Sequence, residues 1–232
     1  MKRAPDQAGF TLVELLVVIT IIAILASLSL PFYRLGIAHA NKAKCESNLR
    51  QIGVAMFGFA AENDENLPES GGVIPYGTTD PTTKTCGWCQ QLEPYVGPGT
   101  GVGGKDTIFQ CPDSSKVIPE NQTYSYFNGA HAALADTGGF APVSLIKVKS
   151  PSQHIMAGDI AVAGLFTSDD ADKDDYTQDP AFGGNAGTIP IHLGASNVLF
   201  YDGHVASLKK FDPVTMTTVY TDNNTDYLHT AP

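Results

Sequence analysis

The hydrophobic pattern changes character twice along the chain. From Phe10 to Leu30 the residues are apolar almost without a break, interrupted by Glu14 and four hydroxyl side chains. A helix over this run, at about 1.5 Å per residue, reaches about 30 Å, the thickness of a bilayer's hydrocarbon core. Lys2 and Arg3 precede it, so the positive-inside rule predicts a single pass with a cytoplasmic N-terminus and everything beyond Leu30 outside. A secretory signal would place a small-x-small cleavage site after the apolar run. Pro31-Phe32-Tyr33-Arg34 stands there instead, so the span is expected to stay on the mature chain. Pro31 lacks an amide donor and is expected to kink or locally melt the helix rather than start a domain.

Beyond Pro31 the pattern becomes periodic. Cys45, Leu49, Ile52, Met56 and Phe59 or Ala60 recur at i, i+4, i+7 and i+11 spacing, which predicts a helix with one core-facing stripe. The polar stretch Glu62-Asn63-Asp64-Glu65-Asn66-Leu67-Pro68 ends it. After residue 69 Gly, Pro, Thr and Asp dominate, with short apolar runs at 108–111, 144–148, 154–157 and 197–201 that read as strands. The last is expected to pair with 204–208 across Asp202-Gly203, a two-residue hairpin signal of the type I′ kind. The predicted fold class is α+β. A helix over 10–62, with its membrane span at 10–30, packs on an antiparallel β head formed by 63–232.

Composition narrows the function classes. Lys and Arg number 14 against 24 Asp and Glu, a net charge of −10, so a general nucleic-acid binder, which needs a basic surface, is excluded. Hydrophobic residues at 43% are enough to bury a core, which argues against intrinsic disorder, and 23 Gly with 15 Pro predict a loop-rich head. Glu14 stands out, because a carboxylate within an apolar span costs about 2.5–3.5 kcal/mol at the helix centre and less toward the interface.

Gly9-Phe10-Thr11-Leu12-Val13-Glu14-Leu15 resembles the processing signature of type IV prepilins and type II secretion pseudopilins. The resemblance implies a pilin-like fold and a leader over 1–9, cut between Gly9 and Phe10 by a membrane prepilin peptidase and methyltransferase that N-methylates Phe10. It gives Glu14 an assembly role, its carboxylate meeting the amino terminus of a neighbouring subunit. A buried amine and carboxylate each lower the other's desolvation cost. The implied partners are other pilin or pseudopilin subunits and an inner-membrane assembly platform, and the implied location is the bacterial inner membrane with the head periplasmic or extracellular.

A second resemblance lies in the C-terminal half. His192, nine residues and then Asp202-Gly203 resemble the region that defines a prepilin-like family. That family also shows a Cys shortly before Asn-Leu-Arg-Gln-Ile-Gly, matched by Cys45 and residues 48–53, and a Cys-Pro near mid-chain, matched by Cys111-Pro112. The resemblance implies location and architecture and assigns no reaction. His192 is expected to be a hydrogen-bonded structural residue near the hairpin.

Four cysteines lie beyond the span, and in an oxidising exterior structural disulfides come first. Closing Cys86 with Cys89 locally would leave Cys45 to tie the helix to Cys111. A four-thiolate zinc site and a redox pair at Cys86-Gly87-Trp88-Cys89 stand as alternatives. Residues 99–106 nearly reproduce a phosphate loop, but Asp106 stands where Ser or Thr would hold Mg²⁺. Asp170, Asp172 and Asp174 alternate as calcium ligands do, and some pseudopilins hold calcium in a C-terminal loop. The EF-hand pattern fails at Asp175 and Ala181, leaving a solvated acidic loop as the first reading. No other cofactor is expected. Neither a nucleophile elbow nor a His-Glu-x-x-His motif is present, so a structural subunit is expected rather than an enzyme. A tethered minor pilin or adhesin-like binding head is the alternative, and an extracytoplasmic thiol-disulfide enzyme a weaker one.

Overall fold

The computed structural model describes residues 10–68, 87–97, 107–113, 126–128, 131–133, 140–159, 191–209 and 216. The chain divides into two compact units, residues 1–39 and 40–232. The first consists of the start of helix α1 (Leu12–Glu62). Its apolar window has a mean hydropathy of 2.7, is not buried at all and is long enough to cross a membrane. Hydroxyls within the run bond backward to the helix, Thr20 Oγ1 to Leu16 O at 2.6 Å and Ser27 Oγ to Ile24 O at 2.8 Å. They therefore present no unmet donor to an apolar medium. α1 continues through Pro31, so the proline does not melt the helix; it leaves the Ser27 carbonyl without its usual amide partner.

The second unit is an α+β body built on the last turns of α1. Cys45, Leu49, Ile52, Met56 and Ala60 are all buried, so the stripe read from spacing is the face that meets the core. Each large apolar side chain withdrawn from water there contributes about 1.5–3 kcal/mol. α1 ends when Glu65 N–H reaches back to Ala60 O at 2.9 Å, with Asp64 at φ 54° in the left-handed position between them. This closes the Ala60 carbonyl with the six-to-one bond of a Schellman motif.

Strands β1 (Tyr126–Asn128), β4 (Ile155–Asp159), β5 (Ser196–Phe200) and β6 (Val205–Leu208) form one antiparallel sheet in that order. β2 (His131–Ala133) and β3 (Phe140–Pro142) make a separate two-stranded ribbon. β4 and β5 are buried at every position, as interior strands covered on both faces must be. Leu199 of β5 lies against α1 at Gly53, where an added Cβ would sit 3.1 Å from a Leu199 methyl carbon. Gly53 thus allows the helix to approach the sheet.

Two of the predicted strands are not strands. Residues 108–111 form a turn that drives Phe109 into the core against Trp88, edge to face at 5.8 Å. At 144–148, Ser144 bridges Asn66 and a 3₁₀ turn follows over Leu145–Lys147. In both places apolar residues fill the core without joining a ladder.

The hairpin turns also differ from expectation. Phe200 O accepts Gly203 N–H and Phe200 N–H donates to His204 O, both at 2.9 Å, so the β5–β6 loop is Tyr201-Asp202-Gly203. Gly203 has φ 87°, and Asp202 is not among the positive-φ residues. This is a three-residue loop closed by a glycine bulge, not a type I′ turn. The type I′ pattern falls at the other end of β5, where His192 and Ala195 exchange backbone bonds of 2.8 and 2.9 Å across Leu193 (φ 50°) and Gly194 (φ 84°). A half-exposed leucine is a poor residue for that conformation. Replacing Leu193 by Asn, the preferred partner of Gly in such turns, is expected to stabilise the head by about 1 kcal/mol, read as a raised urea midpoint at unchanged m.

Candidate functional site

Two places gather the chemistry. At the start of α1, Thr11 and Glu14 form a reciprocal cap. Thr11 Oγ1 accepts the Glu14 N–H at 3.3 Å, while Glu14 Oε2 accepts the Thr11 N–H at 2.9 Å and the Thr11 hydroxyl at 2.8 Å. A Thr three residues ahead of a Glu favours this box, which satisfies two orphan donors of a helix N-terminus. The Glu14 carboxylate consequently carries its own donors into the apolar run. Phe10, just ahead of the helix, is exposed.

The second place is buried in the head. Cys45 of α1 and Cys111 form a disulfide with Cα atoms 5.3 Å apart, closing 66 residues of sequence separation. Beside it lies His192. Its Nε2 is 3.1 Å from Cys111 Sγ and 3.4 Å from Asp159 Oδ2, and its Nδ1 is 3.2 Å from Asp113 Oδ2. Asn41 of α1 donates to the other Asp113 oxygen at 2.7 Å, and the backbone N–H of Asn197 donates to Asp159 Oδ2 at 2.7 Å. Asn48 fastens the same region, donating to Gln110 O at 2.9 Å.

Both imidazole nitrogens therefore face acceptors. A proton must lie on each nitrogen, or Asp159 must carry one toward Nε2. Asp159 is wholly enclosed, and burial, opposed by the Asn197 bond and reinforced by the charges of Asp113 and Glu46, pushes its carboxyl up to about 8. Burial, with the Asp159 charge adding to it, likewise holds the Tyr126 hydroxyl well above its ordinary value. The pocket is built for a proton or another positive charge between its two carboxylates.

The family model for the prokaryotic N-terminal methylation motif matches residues 5–30. The chain carries a prepilin-type methylation motif. The matched residues contain Gly9, Phe10 and Glu14 and end one residue before Pro31. No curated protein and no solved structure matches the chain. With this motif at the head of a long exposed apolar helix, the chain has the features of a membrane-anchored pilin-like protein.

The remaining predicted residues fall in three groups. His192, Asp202 and Gly203 lie at opposite ends of β5, so the nine-residue spacing is the length of a tight turn, one strand and the entry to the next turn. His192 is buried and hydrogen-bonded, but beside the disulfide rather than beside the Asp202-Gly203 hairpin. At that hairpin a Gly203 Cβ would sit 3.3 Å from Phe57 of α1, and the His204 ring stacks on Phe200 and reaches Asp202 Oδ1. Cys89 is buried in the short helix α2 (Trp88–Gln91) and is not part of the His192 cluster. The four-thiolate arrangement therefore does not form, since two of its sulfurs are joined to each other. Gly9, Cys86, the 99–106 loop and Asp170, Asp172 and Asp174 lie outside the described residues.

Sequence reasoning missed Asp113 and Asp159. Each carried a signal: Asp113 follows Cys111-Pro112, and Asp159 ends an apolar strand where a carboxylate is costly to bury.

Proposed function

We propose that the chain is a structural prepilin or pseudopilin subunit, cut between Gly9 and Phe10, N-methylated on Phe10 and assembled through its apolar helix into a filament of a type II secretion-like system or type IV pilus. The observation that carries this reading is the methylation motif over residues 5–30, continuous with an apolar helix that nothing in its own unit covers. Such a surface is stable only in lipid or against other helices. The reading includes an inner-membrane pass with the head outside, processing by a prepilin peptidase, recruitment by an assembly platform, and no catalytic task. It also takes the His192-to-Gly203 segment as the head of the prepilin-like family that it resembles. In that filament Glu14 would exchange its bonds to Thr11 for the methylated amine of a neighbour.

Intact-mass and N-terminal peptide analysis of the protein from its native membrane tests this, together with filament recovery from a Glu14→Ala strain. The expected outcome is a chain beginning at N-methylated Phe10 in both strains, with sheared filaments lost in the variant. An intact leader, or cleavage after Leu30, would sink the pilin-like reading. Wild-type levels of filament from the variant would remove Glu14 from assembly and favour the tethered binding head.

A further inference from the structure

Four side chains from four separate segments converge in the head: Cys45 from α1, Cys111 from the loop before β1, Asp159 from the end of β4 and His192 from the turn into β5. All four are buried, and one ligating atom from each lies within 4.8 Å of the others. Tetrahedral zinc, with bonds of about 2.0–2.3 Å, sets its ligand atoms about 3.3–3.8 Å apart. His192 Nε2 to Asp159 Oδ2 at 3.4 Å and Cys111 Sγ to His192 Nε2 at 3.1 Å already approach that spacing. On the far side of the ring, Nδ1 meets Asp113, which is held by Asn41. A carboxylate behind a histidine in this way fixes the tautomer that leaves Nε2 to bind a metal.

Independent of this geometry is a buried group without a partner. Asp159 Oδ1 is inaccessible and has no hydrogen-bond partner among the described residues. A disulfide in a small head needs none of Asp159, His192 or Asp113 beside it. Two buried carboxylates around one imidazole are costly unless positive charge accompanies them. A divalent cation would supply that charge.

We propose that, once the Cys45–Cys111 disulfide is reduced, the two thiolates, His192 Nε2 and the Asp159 carboxylate form a closed four-coordinate site for a zinc-class divalent cation. The reaction balances as follows: a dithiol reductant gives two electrons and two protons to the disulfide and becomes a disulfide itself. The cation then displaces the two thiol protons and the proton shared by His192 and Asp159. In the reverse direction a disulfide oxidant takes two electrons from the thiolates and, with two protons from water, becomes a dithiol; the S–S bond forms, the cation leaves and a proton returns between His192 and Asp159. α1 is clasped to Cys111 in either state, by a covalent bond or through the metal. With all four ligands buried the site has no open position, so its role is structural.

The test uses the full chain in detergent micelles, reduced with a non-chelating phosphine, desalted without oxygen and titrated with cobalt(II), then zinc. The expected result is one cobalt per chain with the strong visible bands of four-coordinate cobalt and thiolate-to-cobalt charge transfer. Zinc should displace it, and the oxidised chain should show none of it. Asp113→Asn leaves every proposed ligand in place and is expected to weaken binding by about 10–100-fold. Asp159→Asn is expected to change the cobalt spectrum, with the Trp88 near-ultraviolet signal reporting whether each variant is folded. A reduced chain that takes up no stoichiometric cobalt overturns the proposal. So does cobalt binding of unchanged affinity in Asp113→Asn with an unchanged spectrum in Asp159→Asn, since bare thiols would then account for it.

Discussion

Removing the clasp by the double substitution Cys45→Ser and Cys111→Ser is expected to lower the unfolding free energy of the head by about 4 kcal/mol. The figure follows from the loop that the bond closes: a sequence separation of 66 gives about 4 kcal/mol of denatured-state chain entropy at 25 °C. That is a large part of the roughly 5–15 kcal/mol that separates folded from unfolded states in ordinary domains. The two sulfurs belong to the same buried core as Leu49, Ile52, Phe109 and Ile155, all four wholly enclosed. The folded state therefore changes little, and the effect enters through the unfolded chain. Urea unfolding in the presence of a chelator, which removes any metal-held clasp, measures it. A loss below about 1 kcal/mol would mean that the unfolded chain is already constrained, or that the bond strains the head by nearly as much as it restricts the coil.

Asp159 sets the second large effect, through pH. Its carboxyl titrates near 8 in the folded head against 3.8 for an unperturbed side chain. Between those values the folded state holds a proton that the unfolded chain has released. Stability therefore falls as pH rises from about 4 to about 8, by at most about 1.4 kcal/mol per pH unit, and is level on either side. His192 and Asp113 are buried in the same enclosure. Asp159→Asn keeps an oxygen for the Asn197 amide and removes the charge. It is expected to leave stability at pH 4 nearly unchanged and to raise it at pH 8 by several kcal/mol, on the order of the integrated slope. Denaturation midpoints of wild type and variant at both pH values check this. A parallel pair of curves would show that Asp159 takes up no extra proton on folding.

How much could be read beforehand depended on whether one segment sufficed. The membrane-length run and the Cys45-to-Ala60 stripe are local patterns, and each lies in α1 where its spacing placed it, whereas the cap at Thr11 and Glu14 was not read beforehand. β4, β5 and β6 were legible because apolar runs of strand length flank recognisable turns. Residues 108–111 have equal apolar content and, among the described residues, no partner strand. Their burial is decided by Trp88, about twenty positions away. β1, β2 and β3 are three residues each, too short to show a period. The turn types were misplaced because Asp-Gly fits a bulged loop as well as a two-residue one, whereas Leu-Gly gives no warning of positive φ at leucine. The acid cluster was invisible for a different reason: Asp113 and Asp159 meet only through the fold, with His192 between them.

The position of the disulfide has a mechanical consequence. Tension applied through the N-terminal helix runs along α1 as far as Cys45. There the covalent path forks, and the shorter branch crosses the sulfur bridge to Cys111. Load directed toward any point beyond Cys111 bypasses residues 46–110, so the helical turns bearing Leu49, Ile52 and Met56 cannot be drawn out as extended chain while the bridge is closed. The head can be tugged without paying out the helix on which it is built.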